Sequence, residues 1–398
     1  MKTTALAVRI AALSMLLVLM SCGMPVGEQG TASKDSSSLL LRPRSTSDQF
    51  DFETISEVRF EVAVEWVDSG EAPTAKAIVE LSRPDGSELY TGATEVGLTH
   101  RFAVSIPLTD SDYRLNVVVP GIARERFDLP NLARSSAVRA TARLRNNVVS
   151  IQSESDVKDS DGDGIVDTYD AFPDKSESAF QDQIPADGRF TVAFEDNFPN
   201  VGDADYNDFV AQYVIRVIRN PENEVLVLDG DIWARARAAG YDHEFGLVVQ
   251  FPGLQGFLNA NYSQADGATD FVRTHTTEAV SEEARITIFP STKGAFVRSS
   301  GHVRPDNGYP NGPWSEGYVG SFRISGISSI DPGVPFDDWS LSVDHFDPYL
   351  LVHNTGYDVH LVGKPALEGS KNFEIPLNEW EGFRDPAGYP RALLVPTD

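Results

Sequence analysis

Five aspartates between two strand-rich stretches carry the clearest chemistry in this chain. Residues 159–170 read DSDGDGIVDTYD, setting Asp159, Asp161, Asp163, Asp167 and Asp170 at positions 1, 3, 5, 9 and 12 of a twelve-residue loop, with Gly164 at position 6. A calcium loop needs side-chain oxygens at those positions, a glycine for the sharp turn and a main-chain carbonyl at position 7, here Ile165. Ca2+ takes six to eight hard oxygens at about 2.3–2.6 Å, whereas Mg2+ holds a tighter octahedron and keeps its own waters. Calcium is therefore the expected ion. Two unit charges about 4 Å apart repel by roughly 1 kcal/mol in water and by several times that near a protein surface, so five such carboxylates do not converge unaided. Asp170 stands where helix-loop-helix sites carry Glu, and no amphipathic helices flank the loop. A solvated acidic linker is the competing reading.

A second acidic constellation follows in FEDNFPN and GDADYNDF, residues 194–200 and 202–209. Asp203, Asp205 and Asn207 repeat the alternate-residue spacing, but Asp208 takes the glycine position, so the twelve-residue logic fails. A compact turn joining Asp196, Asp203, Asp205, Asn207 and Asp208 is open to three readings: a second metal site, side-chain capping of turns, or catalytic carboxylates. Residues 154–208 hold 16 acidic and 3 basic residues, half of the chain's net charge of -26.

Other chemistry is sparse. There is no Gly-x-Ser-x-Gly elbow, no phosphate-binding glycine loop and no dinucleotide fingerprint, so no nucleotide cofactor is expected. His243-Glu244 begins like a zinc-protease helix but lacks the second histidine, and its glycine-rich neighbours predict a turn entering a strand. His353 and His360 flank a possible hairpin turn, where packing is the simpler expectation than metal binding. Trp233, Tyr309, Trp314, Tyr318, Trp339 and Trp380 lie in Gly/Pro-rich surroundings, where sugars could stack on them, although core packing is the default for such rings. The negative charge disfavours nucleic acid and anionic lipid surfaces unless cations intervene. One cysteine excludes an intramolecular disulfide and cysteine-based zinc sites.

The elements that must hold these residues are β-strands. Val58, Phe60, Val62, Val64 and Trp66 alternate with polar or small residues, and similar runs occur at 75–82, 101–106, 113–119 and 138–151. Residues 50–152 thus read as a small antiparallel, Ig-like β-sandwich. Residues 153–186 form the Asp-rich segment. From 187 to 398, candidate strands at 190–194, 209–219, 224–236, 245–251 and 284–289 predict a larger, jelly-roll-like β-sandwich. The chain is predicted to be all-β.

Residues 1–22 read as a secretion signal, with Lys2 and Arg9 ahead of the apolar stretch Ile10–Met20, which is shorter than the about 20 residues of a membrane span. Leu19-Met20-Ser21-Cys22 resembles the lipobox of bacterial lipoproteins, which implies acylation of Cys22 and a lipid anchor. Gly23 after the cysteine resembles the sorting signal for the outer membrane. Residues 23–49, rich in Ser and Gly, read as a flexible tether.

Two family resemblances follow from these strings. The Asp spacing continuing into Phe172-Pro173-Asp174 resembles a thrombospondin type 3 calcium repeat, a family in which calcium ions organise a poorly packed segment. The string FEDNFPNVGDADYNDFV resembles the opening motif of the LruC-type domain, and ARAAGYDHEFGLVVQFPG, FDPYLLVHNTGYDVHLVGKPA and GYPRALLVP resemble its later motifs, covering roughly 187–398. Arg391 stands where that family often has Trp. The resemblance implies a β-rich, envelope-associated domain and brings no established reaction. The expected function is a calcium-binding, membrane-anchored envelope lipoprotein with a structural or binding role toward an envelope glycan or protein. The alternatives are a glycan-binding or adhesion module and a calcium-dependent hydrolase using Asp196, Asp203, Asp205 or Asp208.

Overall fold

The computed structural model describes residues 37–43, 54–109, 112–146, 157–266, 270–296, 317–329, 343–375 and 382–397. The protein is all-β: strands make up 55% of it, and it has no α-helix among the described residues. The first region is a sandwich of two four-stranded sheets. One has the order β1 (Ser38–Pro43), β8 (Ser135–Leu144), β2 (Ile55–Trp66) and β5 (Thr99–Pro107). The other runs β4 (Glu88–Thr94), β3 (Ala77–Ser82), β6 (Asp112–Val119) and β7 (Ala123–Pro130).

The expected alternation works as predicted in β2: Val58, Phe60, Val62 and Val64 are buried, while Arg59 faces solvent. Phe60 stacks on Phe102 at 4.5 Å and Phe102 on Tyr90 at 3.9 Å, tying the two sheets together. Burying one such ring contributes roughly 1.5–3 kcal/mol.

Two details differ from the sequence reading. β2 and β8 pair in parallel, so the sandwich is not purely antiparallel. Ser38–Pro43, read from the sequence as part of a flexible tether, pairs with β8 instead, and Leu39 and Leu41 pack on the core. Burial of Leu39 and Leu41, with Leu40 facing solvent, supplies apolar surface that offsets the ordering of one short edge strand.

The second region is one ten-stranded sheet, nearly closed like a barrel. Its order is β17 (Asp358–Val359), β16 (Phe346–Val352), β13 (His243–Asp266), β15 (Val319–Ser329), β12 (Val225–Ala236), β11 (Phe209–Arg219), β10 (Arg189–Phe194) and β18 (Ala392–Thr397). β14 (Asp270–Phe289) pairs with β13, and β9 (Phe180–Ile184) pairs with β11. The curl lets a single ladder supply both walls around a core that includes Phe190, Phe194, Phe209, Phe245 and Phe289.

This region begins earlier than residue 187, since β9 already belongs to its sheet. Phe251-Pro252-Gly253, expected to end a strand, lies inside β13 instead. The ladder to β14 skips from Gln250 to Gln255 there, a bulge that spares Pro252 the hydrogen bond it cannot donate.

Candidate functional site

The Asp loop is folded by its own side chains. Gly162 and Gly164 adopt φ of 80° and 90°, which a Cβ would strain. Asp159 accepts the amides of Gly162 (2.8 Å) and Gly164 (3.0 Å), while Asp161 Oδ1 accepts that of Asp163 (3.2 Å). Asp163 Oδ1 accepts the amide of Ile165 and Asp170 Oδ1 that of Phe172, each at 2.7 Å. The Ile165 side chain is fully buried against Ile78, Ala93, Ala179 and Phe180.

These turns consume one oxygen each from Asp161, Asp163 and Asp170 and leave the other. Asp161 Oδ2, Asp163 Oδ2 and Asp170 Oδ2 are all buried without a hydrogen-bond partner. Oxygens of Asp159, Asp161 and Asp163 lie within 4.8 Å of one another. Burial, reinforced by the charges of Asp163, Asp161 and Asp167, pushes Asp170 up to about 6. Burial and the neighbouring Asp161 and Asp159 likewise raise Asp163. A buried carboxylate oxygen with no partner forfeits its hydration at a cost of several kcal/mol unless a counter-charge meets it. The arrangement is thus a set of hard oxygen donors suited to a divalent cation.

Asp167, at position 9, is turned elsewhere. It accepts the amide and the hydroxyl of Ser160, both at 2.7 Å, and the Lys158 ammonium at 2.8 Å. The Lys158 and Ser160 bonds hold its carboxyl below the usual range. Such a side chain braces the loop and is not gathered with Asp159, Asp161 and Asp163.

The second constellation divides into two groups. Glu195, which the spacing did not single out, is buried and accepts the amides of Tyr206 (2.5 Å) and Ala204 (3.2 Å). Its carboxylate lies where a Gly202 side chain would be. Asp203 and Asp205 lie beside it but are exposed, and Asn207 donates to Asp205.

Asp196 and Asp208 take other partners. Asp208 accepts the Asp196 amide at 2.7 Å, and Asp196 Oδ2 meets His243 Nε2 at 2.9 Å. His243 Nδ1 meets Thr292 Oγ1 at 2.9 Å, and that hydroxyl accepts the Arg237 Nε–H at 3.1 Å. The Asp196 carboxylate oxygen accepts the Nε2–H, and a neutral ring then accepts the Thr292 hydroxyl proton at Nδ1. Burial lowers His243 despite Asp196, consistent with a neutral ring, while burial and Asp196 push Asp208 up to about 7.

This hydroxyl–imidazole–carboxylate row has the makings of a nucleophilic relay, but Thr292 and His243 are both 0% exposed. No substrate can reach it in this conformation. Glu195 and Asp196 are both buried, so the alternation of Phe190, Val192 and Phe194 ends with β10 and carried no signal for either.

Neither a family model nor a curated protein matches the chain.

The remaining candidates separate. His353 is exposed, 3.9 Å from Asp242, while His360 is buried with Nδ1 2.7 Å from Asp347 and Nε2 3.1 Å from Asp358. They do not form a pair. His243-Glu244 opens β13 and not a helix. Trp233 is half-buried under the Arg189 guanidinium, 4.0 Å from the ring centre, and Tyr318 packs on the core. Cys22, Tyr309, Trp314, Trp339 and Trp380 lie outside the described residues.

Proposed function

We propose that the protein is a calcium-binding, lipid-anchored bacterial envelope protein with a structural or binding role, and that the Asp loop is its calcium centre. The observation carrying this reading is the trio of buried, partnerless oxygens on Asp161, Asp163 and Asp170. Asp159 orders the loop beside them, and the carbonyl of Ile165 at position 7 adds a main-chain donor by the logic of such loops. The ion would supply the positive charge that these acids lack, and with it rigidity for the segment. Acylation at Cys22, an outer-membrane location and the LruC-type assignment rest on the motifs in the sequence. The acidic surface favours cationic partners or anionic ones bridged by calcium. Among the described residues, Arg189 covers Trp233 and the Asp196–His243–Thr292 row is sealed, so the reading here rests on the Asp loop.

Isothermal titration of the chelator-stripped chain tests the site. Calcium is expected to bind with a stoichiometry near one, and magnesium far more weakly. A chain that gives no calcium heat and no change in unfolding temperature with calcium contradicts the reading. Palmitate labelling in a bacterial host, lost in Cys22→Ala, tests the anchor; equal labelling of both chains removes it.

A further inference from the structure

The Asp loop is the third member of a joint between the sandwich and the barrel. Ile165 shares one small core with Ile78 and Ala93 of the sandwich and with Ala179 and Phe180 at the entrance to the barrel. A backbone relay leads onward from Asp170: the Ala171 amide donates to Ala179 O (2.8 Å), and the Ala179 amide donates to Arg219 O (2.9 Å).

Arg219, at the end of β11, is 0% exposed. Its guanidinium donates to Thr91 O (2.6 Å) and Tyr90 Oη (3.0 Å) of the sandwich and to Asp182 of β9 through Nε (3.0 Å). It lies over the rings of Tyr90 at 4.6 Å and Phe180 at 5.2 Å. Four residues on, Asn223 grips β4 as a backbone strand would: Oδ1 accepts the Ala93 amide (3.0 Å) and Nδ2 donates to Ala93 O (2.7 Å). Gly92 admits this approach, since a Cβ there would sit 2.6 Å from Tyr90 Oη and 2.9 Å from Asn223 Oδ1. On the loop's other side, Lys76 of the sandwich donates to Pro221 O (2.9 Å), and its charge faces Asp163.

We propose that the Asp loop and this joint are one coupled unit, in which filling the loop with calcium tightens the seat of the sandwich on the barrel. This rests on the calcium reading above and adds regulation to it. The reason is geometric: Ile165, two residues after Asp163, packs on Ile78 and Ala93 of the sandwich and on Ala179 and Phe180, and Ala171, next to Asp170, is hydrogen-bonded to Ala179. Drawing Asp161, Asp163 and Asp170 onto one ion fixes both ends of that contact. Coupling between binding sites is reciprocal, so loosening the joint must weaken calcium binding by the same factor.

The test uses the full chain and calcium alone as probe. Asn223→Ala removes both bonds to Ala93 while lying outside the loop, and its calcium affinity is expected to fall about 5- to 10-fold. In the unaltered chain, calcium is expected to slow hydrogen exchange of the Ala93 and Ala179 amides by a similar factor, a reading that does not depend on how well the variant folds. Absence of calcium binding in the unaltered chain removes the site and the coupling together. Calcium binding that leaves both amides unchanged, with the Asn223→Ala isotherm superimposable on the parent's, overturns the coupling alone.

Discussion

The two acidic stretches have nearly the same vocabulary and opposite fates. In residues 159–170 the turns consume one oxygen of each key carboxylate and leave Asp161, Asp163 and Asp170 with a buried oxygen that nothing meets. In residues 195–208 the buried carboxylates are occupied: Glu195 by two amides, Asp208 by the Asp196 amide, and Asp196 by His243. Asp203 and Asp205 stay in water. Acidic density therefore does not identify an ion site; buried oxygens that meet neither a donor nor a positive charge do. The first loop leaves buried oxygens unmet; in the second the buried carboxylates are met by protein groups, although oxygens of Glu195, Asp203 and Asp205 also lie within 4.8 Å of one another.

The largest effect that tests this contrast is on stability. Asp196→Ala strips His243 of its carboxylate in a sealed site and should cost about 3 kcal/mol in urea unfolding, equally with and without calcium. A calcium-dependent loss would merge the two regions into one system.

Next comes affinity. Asp161→Asn or Asp163→Asn should weaken calcium binding roughly 10- to 100-fold by calorimetry, because each removes an anionic donor from the cage. An unchanged isotherm in both variants would show that the partnerless oxygens are not the ligands.

A third acidic group sharpens the comparison, since its counter-charge is built in. His360 faces Asp347 on β16 through one ring nitrogen and Asp358 on β17 through the other, and the second oxygen of each aspartate is buried without a hydrogen-bond partner, as in the Asp loop. Tyr349 and Phe383 cover the ring, and the Tyr213 hydroxyl lies in the field of Asp347. Burial alone would lower His360, but the two carboxylates outweigh it and push it up to about 9. A histidine raised in the folded state contributes its full stabilisation below the unfolded value of 6.5, and loses it as pH rises through about 9. Unfolding free energy should therefore fall by roughly 1–3 kcal/mol between pH 6.5 and 9.5 through this group, a slope that His360→Gln should flatten. Equal slopes in the two chains would remove the imidazolium.

The smallest expected effect is the most discriminating control. The double substitution Asp203→Asn, Asp205→Asn should change calcium affinity less than about 2-fold and stability by less than about 0.5 kcal/mol, because exposed carboxylates are already solvated. A loss as large as that of Asp163→Asn would make the second stretch an ion site too.

What could be read in advance follows the range of each interaction. The turn that gathers Asp159, Asp161 and Asp163 was legible because these residues are nearly contiguous and Gly164 falls where the turn needs it. The strands of the sandwich were legible through the period-two run from Val58 to Val64. The grouping of the second stretch was not, since Asp196 is claimed by His243, 47 positions away, which β13 delivers. Glu195 was missed because its partners are the amides of Ala204 and Tyr206, and amides carry no residue signature. Arg219 read only as the last residue of a strand; its burial depends on Tyr90 and Asp182 arriving from separate elements. Asp167 had the right spacing but found Ser160 and Lys158 closer to hand.

An anomalous difference map from crystals of the chelator-stripped chain soaked in calcium tests the central claim most directly. The expected result is one peak about 2.3–2.6 Å from Asp161 Oδ2, Asp163 Oδ2 and Asp170 Oδ2. An ordered loop carrying no peak there at saturating calcium would contradict the account.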